Sequence, residues 1–246
     1  MKLRAALGFF TRLPIGSAPL PPTFRGVAAW LPAVGVIVGG LAALCVGLAS
    51  LALPPPLCGA LGCLAWVALT GGLHLDGVAD CGDGLLVEAP PARRLEIMKD
   101  SRLGTFGGAA LFFALALKAT ALGGLAARLT SGGDFLALLA ACCLAGGLAR
   151  CLVFAAMRVP SARPGGLGEA LRDGVTRRHG LIALGSGLAL CALNGWRGLA
   201  ALAAALGMAA LLIGAARKRL GGVTGDVFGC LIESAECAVL IACCAA

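Results

Sequence analysis

The sequence has little charge and no tyrosine. Only 13% of its 246 residues are charged and 5% are aromatic, whereas 59% are hydrophobic. An average soluble domain carries about 25% charged residues, and the mean hydropathy of +0.95 is far higher than such a domain shows. This composition argues against a nucleic-acid-binding protein, because no substantial soluble domain is left to hold nucleic acid. It predicts an all-α, polytopic integral membrane protein.

Several common site motifs are also absent. The chain contains no C-x-x-C pair, P-loop, H-E-x-x-H motif or nucleophile elbow. Most of the 12 cysteines lie in apolar runs, so we interpret them as small hydrophobic residues of membrane helices. Cys81 lies within an acidic motif, and we expect it on the helix side that faces away from the acids.

Long apolar runs separated by polar breaks predict a single membrane-embedded domain, residues 1–246, with about seven transmembrane helices. The runs cover about residues 28–53, 57–73, 104–127, 135–157, 181–193, 199–216 and 221–246. Prolines 54–56 separate the first two spans, and Pro90 and Pro91 could open a short helix between the second and third.

The basic residues predict the orientation. With seven spans, sixteen of the 20 lysines and arginines fall on one side, and only Arg128 and Arg197 fall on the other. By the positive-inside rule the N-terminus and the loops that contain Arg94, Arg172 and Lys218 are cytoplasmic. We therefore expect a multi-pass protein of the cytoplasmic (inner) membrane, in contact with membrane lipid.

The most informative segment, Gly71–Leu85, reads GGLHLDGVADCGDGL. Asp76, Asp80 and Asp83 have the i, i+4, i+7 spacing that places side chains on one helix face. Carboxylates that close repel one another unless a cation neutralises them. Clustered carboxylate oxygens suit Mg²⁺, so we predict that these three residues bind it as a cofactor. His74, just before them, is either a structural hydrogen-bonding residue or a catalytic base.

The last span carries a second set of acids, Asp226, Glu233 and Glu236. In the predicted topology this span enters the membrane from the side where the first acids lie. One hypothesis is that Asp226 joins those acids as a metal or substrate ligand and that Glu233 lines the same pocket. The other is that Glu233 and Glu236 pair with Lys118 or Arg150, the two cations inside other spans.

Four segments resemble the cobalamin synthase family, which is also named adenosylcobinamide-GDP ribazoletransferase. They are FFTRLP at 9–14, GGLHLDGVADCGDGL at 71–85, RRLEIMKDSRLGTFG at 93–107 and GGVTGDVFGCLIESAE at 221–236. The resemblance implies Mg²⁺-dependent transfer of adenosylcobinamide phosphate from adenosylcobinamide-GDP to α-ribazole or α-ribazole 5′-phosphate, with release of GMP.

The resemblance also implies roles for individual residues. Asp76, Asp80 and Asp83 would hold Mg²⁺ on the diphosphate; Asp226 is added as a metal ligand from the predicted topology and not from the resemblance. One of the three, or His74, would accept a proton from the attacking hydroxyl. Further candidate contacts for the substrates lie on the same motifs: Arg93, Lys99, Asp100, Arg102, Thr224 and Glu233.

Another class of protein fits some of these features. A cation-coupled transporter also uses carboxylates within the membrane. Transporters tend to show internal repeats or broken helices at the midplane, however, and the sequence has no convincing repeat. Whether the chain forms a homo-oligomer is left open by the sequence.

Overall fold

The computed structural model describes residues 2–15 and 26–245. Within these ranges the chain forms α-helices and no β-strand, which confirms the predicted all-α class. The helices are α1 (Lys2–Phe10), α2 (Leu31–Ala49), α3 (Pro55–Thr70), α4 (Leu75–Leu86), α5 (Pro91–Ile97), α6 (Thr105–Thr130), α7 (Phe135–Ala156), α8 (Leu167–Asp173), α9 (Arg177–Leu193), α10 (Gly195–Leu220) and α11 (Gly225–Ala245). A short 3-10 helix, Ala28–Trp30, leads into α2.

Five of the described helices are long and apolar enough to cross a membrane: α2 with its 3-10 turn, α6, α7, α10 and α11. The helices α3 and α4 make a sixth only if they are counted as one broken span, because the chain bends by 94° between them. The remaining predicted span corresponds to α9, which has 17 residues. At about 1.5 Å per residue, α9 is slightly shorter than the roughly 30 Å hydrocarbon core. The number of seven crossings therefore stays a prediction.

Contacts between helix termini define two ends of the bundle. At one end, called the acidic end because it carries α4, Arg219 in the last turn of α10 donates to the carbonyl of Leu85. At the opposite end, Arg128 in the last turn of α6 donates to the carbonyls of Cys243 and Cys244. The C-terminus of α9 lies beside Arg128, since Leu193 lines the same cavity. This arrangement agrees with chain directions that alternate through the bundle.

Small residues allow the helices to approach closely. A Cβ atom added at Gly35 of α2 would lie 2.0 Å from the carbonyl oxygen of Gly146 in α7, and one at Gly39 would lie 2.1 Å from that of Cys142. Only glycine fits such a contact, as in other small-residue helix packing in membranes. All 12 cysteines are free thiols, most of them buried, which agrees with their interpretation as hydrophobic residues.

Candidate active site

A sharp corner at two glycines separates the acidic helix α4 from α3. Gly71 and Gly72 have φ angles of 64° and 70°, a left-handed conformation that glycine adopts without steric cost. Their N–H groups bond to the carbonyls of Ala68 and Val67 and end α3. The acids therefore lie on a helix of their own, α4, at a large angle to α3.

A second pair of glycines brings α4 against the first turns of α11. A Cβ atom at Gly77 would lie 2.4 Å from the carbonyl oxygen of Asp226, and one at Gly229 would lie 3.3 Å from the backbone of His74. A larger residue at Gly77 would push the helices apart. This crossing places Asp226 beside the acidic face of α4, as the sequence predicted.

The crossing forms one wall of a cavity of about 270 Å³ at the acidic end. Its polar lining consists mainly of His74, Asp76, Arg163, Thr224 and Asp226, with Ser161 and Glu169 at the loop side. The rest of the lining is apolar and comes from α1, α2, α4, α7, α8 and α11 and from the loops next to them. Four of the predicted site residues, His74, Asp76, Thr224 and Asp226, thus share one cavity.

Asp80 lies one turn along α4 from Asp76 and is partly exposed. It is within electrostatic range of the other acids and of one cation, namely Asp76, Asp83, Asp226 and Arg163. The acids of α4 and the first acid of α11 therefore form one group, which we call the mouth acids: Asp76, Asp80, Asp83 and Asp226.

Asp83 has an additional structural contact. One of its carboxylate oxygens accepts the N–H of Gly104 at 2.7 Å, and the other accepts the N–H of Gly107 at 2.8 Å. These N–H groups belong to the N-terminus of α6, where a negative charge is favoured by the helix dipole. Asp83 therefore caps α6 from a different helix, and its predicted role as a metal ligand stays a prediction.

Arg163 was not predicted as a site residue. It lies in the loop between α7 and α8, and its Nη1 donates to the Asp226 carboxylate at 3.1 Å. The loop is held by a bridge to the segment before α11, in which the N–H of Ala162 and the carbonyl of Val223 bond at 2.9 Å. No periodicity marks Arg163 in the sequence, because 63 residues separate it from its partner.

Asp226 also accepts a hydrogen bond from the hydroxyl of Thr224, at 3.2 Å. The same hydroxyl oxygen accepts the N–H of Val227 at 3.3 Å. Thr224 is buried, so these contacts fix the start of α11 and the direction of the Asp226 side chain. Whether Thr224 contacts substrate stays a prediction.

The predicted basic loop lies outside the cavity. Arg102 forms a bidentate pair with Asp100, with an Nη2–Oδ2 distance of 2.6 Å, and Arg93 pairs with Glu96 at 2.8 Å. The hydrogen bonds from Arg102 lower the pKa of the Asp100 carboxyl to about 2. Lys99 is exposed. These side chains are accessible on the surface next to α4, and their predicted contacts with the diphosphate stay predictions.

Arg94, in the same loop, has a different environment. It is buried and donates to three carbonyl oxygens around the end of α4, those of Gly84, Leu85 and Ala89, at 3.0, 2.9 and 2.7 Å. A positive charge near the C-terminus of a helix is stabilising, because it interacts favourably with the helix dipole. Arg94 therefore stabilises the far end of the acidic helix.

The deeper acids of α11 belong to a separate buried ion cluster. Lys118 of α6 contacts Glu233 at 2.5 Å and Glu236 at 2.6 Å, and Arg150 of α7 contacts Glu236 at 2.6 Å. Lys118 also lies 5.0 Å from the ring centroid of Trp66, a cation–π distance. Of the two hypotheses for these acids, the pairing with Lys118 and Arg150 is the one observed. The expectation that Glu233 lines the pocket is not met, because its carboxylate is held inside this cluster.

The mouth acids supply carboxylate oxygens, the kind of ligand that Mg²⁺ prefers. No group of three His, Cys, Asp or Glu side chains among the described residues converges closely enough to hold a metal alone. Mg²⁺ usually takes only one or two carboxylates and completes its shell with water and substrate phosphates. Asp76, Asp80 and Asp226 offer such oxygen ligands, and Arg163 is the cation that contacts them in an ion pair. The donor set therefore fits Mg²⁺ bound together with a phosphorylated substrate.

The fold and the site together define a class, a polytopic helical membrane protein with an acidic cavity at one end. The family model described as Cobalamin-5-phosphate synthase matches residues 2–244. The chain therefore belongs to this family.

Three relatives named adenosylcobinamide-GDP ribazoletransferase are similar over almost the whole chain. The protein of Ectopseudomonas mendocina (strain ymp) is 41% identical in an alignment of 246 positions that includes 97% of this chain and 96% of the relative. That of Klebsiella pneumoniae (strain 342) is 38% identical, with 97% of both chains covered. That of Pseudomonas paraeruginosa (strain DSM 24068 / PA7) is 41% identical, and the alignment covers 98% of this chain and 96% of the relative. No solved structure matches the chain.

Proposed function

We propose that this protein is an adenosylcobinamide-GDP ribazoletransferase of the cytoplasmic membrane. It would join adenosylcobinamide-GDP to α-ribazole or α-ribazole 5′-phosphate and release GMP. The observation that carries the proposal is the crossing of α4 and α11, which places Asp76 and Asp226 in one cavity with His74 and Arg163. Acids and a cation around one cavity suit a phosphoryl transfer, in which charge on phosphate oxygens must be balanced.

The reaction requires one bond to form and one to break. A ribose hydroxyl oxygen of the acceptor bonds to the cobinamide-side phosphorus of the donor. The bond from that phosphorus to the bridging oxygen breaks, and GMP leaves with this oxygen. The proton of the hydroxyl passes to a carboxylate of the mouth acids or to Nε2 of His74, both of which line or border the cavity.

The mouth acids would hold Mg²⁺ through Asp76, Asp80 and Asp226, while Asp83 keeps α4 against the start of α6. The ion would supply positive charge for the diphosphate and the leaving phosphate. Arg163, which pairs with Asp226, would contact a phosphate oxygen at the same place. Lys99 and Arg102, on the surface loop next to α4, would contact the outer part of the diphosphate.

The distribution of basic residues supports a cytoplasmic acidic end. The last turn of α10 carries Arg217, Lys218 and Arg219 there, whereas the opposite end has Arg128 and Arg197. Positive residues remain on the cytoplasmic side. A site on that side would meet its nucleotide substrates directly from the cytoplasm.

The test is GMP release by the purified protein in detergent, which has no compartments between which to transport. We expect release only when both substrates are present, loss on chelation with EDTA, and recovery on addition of Mg²⁺. Asp226→Asn should abolish release, whereas Glu88→Gln, which changes an exposed acid just after α4, should leave it intact. A wild-type protein that releases no GMP under these conditions would contradict the proposal.

A further inference from the structure

We propose that the cavity at the acidic end receives the planar base and the ribose of the acceptor, while the corrinoid donor stays outside, at the mouth acids. This inference rests on the proposed function and specifies which of the two substrates occupies the cavity. The size of the cavity, its apolar lining and the position of its polar groups support it, and the order of the acids along α4 then places the second substrate.

The first argument is size. The cavity measures about 270 Å³, whereas pockets for drug-sized ligands measure about 300–1,000 Å³. A nucleoside with a bicyclic base is at the small end of that class. A corrinoid that carries a nucleotide is several times larger than a drug-sized ligand and cannot enter such a space.

The second argument is the apolar lining of the cavity. Phe10 from α1, Met157 after α7 and Phe228 from α11 all line it, and their side chains are only 4%, 5% and 6% exposed. Buried side chains keep their positions, so the walls are preformed. Aromatic rings and a thioether favour contact with another flat aromatic ring. A planar, largely apolar base matches these walls better than a charged diphosphate does.

The third argument is the position of the polar groups. His74 is buried, and its Nε2 atom has no hydrogen-bond partner among the described residues. An unpaired buried polar atom is costly, so a ligand group that bonds to it is favoured. Because His74 and Asp76 line the cavity together with the apolar walls, a ribose attached to the bound base would present its hydroxyls to them.

The acids along α4 then order the two substrates. Asp76 lines the cavity, but Asp80 and Asp83 do not. At about 1.5 Å per residue they lie roughly 6 and 10 Å farther along the helix axis, toward the start of α6 that Asp83 contacts. A diphosphate held by Asp80 and Asp226 would therefore meet the ribose hydroxyl at the cavity mouth, with the corrinoid beyond it.

The experiment measures the affinity of each substrate separately, by calorimetry on the full-length protein in detergent, with no turnover. Phe228→Ala should weaken α-ribazole binding about tenfold, which corresponds to about 1.4 kcal/mol. Binding of adenosylcobinamide-GDP should change less than about twofold. The matched control is Phe113→Ala, which removes an exposed phenyl ring on α6 that lies outside the cavity. Phe228→Leu keeps an apolar side chain of more similar size but removes the flat ring, and it serves if Phe228→Ala does not fold.

The opposite result would overturn the inference: unchanged α-ribazole binding in both Phe228 variants, or a loss confined to the corrinoid donor. Either outcome is distinct from failure of the proposed function. A wild-type protein that binds both substrates and releases GMP satisfies the proposed function wherever the base lies.

Discussion

Two acids on the same helix have opposite surroundings. Asp226 lies in the first turn of α11 and is about a quarter exposed, at a cavity shared with other carboxylates. Glu236 lies almost three turns deeper, is fully buried and contacts both Lys118 and Arg150. Helix α11 thus connects a site that ligands can reach with a site that is closed to them.

The two groups also differ in their balance of charge. The buried ion cluster contains two carboxylates and two cations, and every carboxylate has a partner within 2.6 Å. There are four mouth acids. Among the described residues, the cation that forms an ion pair with them is Arg163, which contacts Asp226. A buried charge must be compensated within the protein, whereas acids at an accessible cavity can be compensated by a bound cation. The difference separates acids whose charge is compensated within the protein from acids whose charge a bound cation would compensate.

The largest effect should come from removing a charge of the mouth acids. We expect Asp76→Asn and Asp80→Asn each to lower kcat about 10³-fold or more, because loss of a metal ligand costs several kcal/mol in the transition state. The melting temperature should hardly fall, since these acids repel one another. Rates of GMP release and thermal unfolding curves check this. Near wild-type rates in both variants would show that the acids of α4 are a polar helix face without a catalytic role.

The buried cluster should show the reverse behaviour. Glu236→Gln leaves Arg150 without a carboxylate partner and Lys118 with Glu233 alone, so we expect a loss of about 3–5 kcal/mol in the free energy of unfolding. The protein that still folds should release GMP at close to the normal rate, because Glu236 does not line the cavity. A kcat that falls as far as in Asp76→Asn, with unchanged stability, would contradict this division of α11.

A charge-neutral change in the same cluster sharpens that test. Lys118→Met combined with Glu233→Met removes one cation and one acid together, and we expect a smaller loss of stability than either single change causes. Replacing both partners of a buried pair by apolar residues is often close to neutral. Chemical unfolding of the two single variants and the double variant gives the coupling free energy.

The smallest effect on stability should come from Arg102. The pair it forms with Asp100 is exposed, and exposed pairs contribute little to stability. Because the pKa of Asp100 is lowered to about 2, this contribution is present above the ordinary pKa and is lost only as the pH falls toward 2. In assays near neutral pH, Asp100 is therefore fully ionised and its pair with Arg102 does not change with pH.

We expect Arg102→Ala and Arg102→Lys to raise the KM for adenosylcobinamide-GDP several-fold, because a planar guanidinium is not replaced by an ammonium. Unchanged KM and kcat in both would exclude Arg102 from the diphosphate site.

Local sequence features accounted for much of the architecture. Pro91 begins the short helix α5, as predicted, whereas the prolines at 54–56 were predicted only as a break between spans and α3 begins within them, at Pro55. The spacing of Asp76, Asp80 and Asp83 predicted one helix that carries all three, and α4 is that helix. The glycines Gly71 and Gly72 were visible, but their left-handed conformation and the 94° bend they allow were not predicted.

The sequence by itself determined the class of protein, the long apolar helices and the family, because hydropathy, helix breakers and contiguous motifs are local properties. It also placed Asp226 near α4, since both were predicted at one membrane face. Only the tertiary structure decided that Glu233 pairs with Lys118, that Arg163 contacts Asp226 and that Asp83 caps α6. Those contacts join residues 115, 63 and 21 positions apart. Partners at such distances are selected by how the helices pack, at glycines such as Gly77 and Gly35, and one sequence carries no periodic signal for that choice.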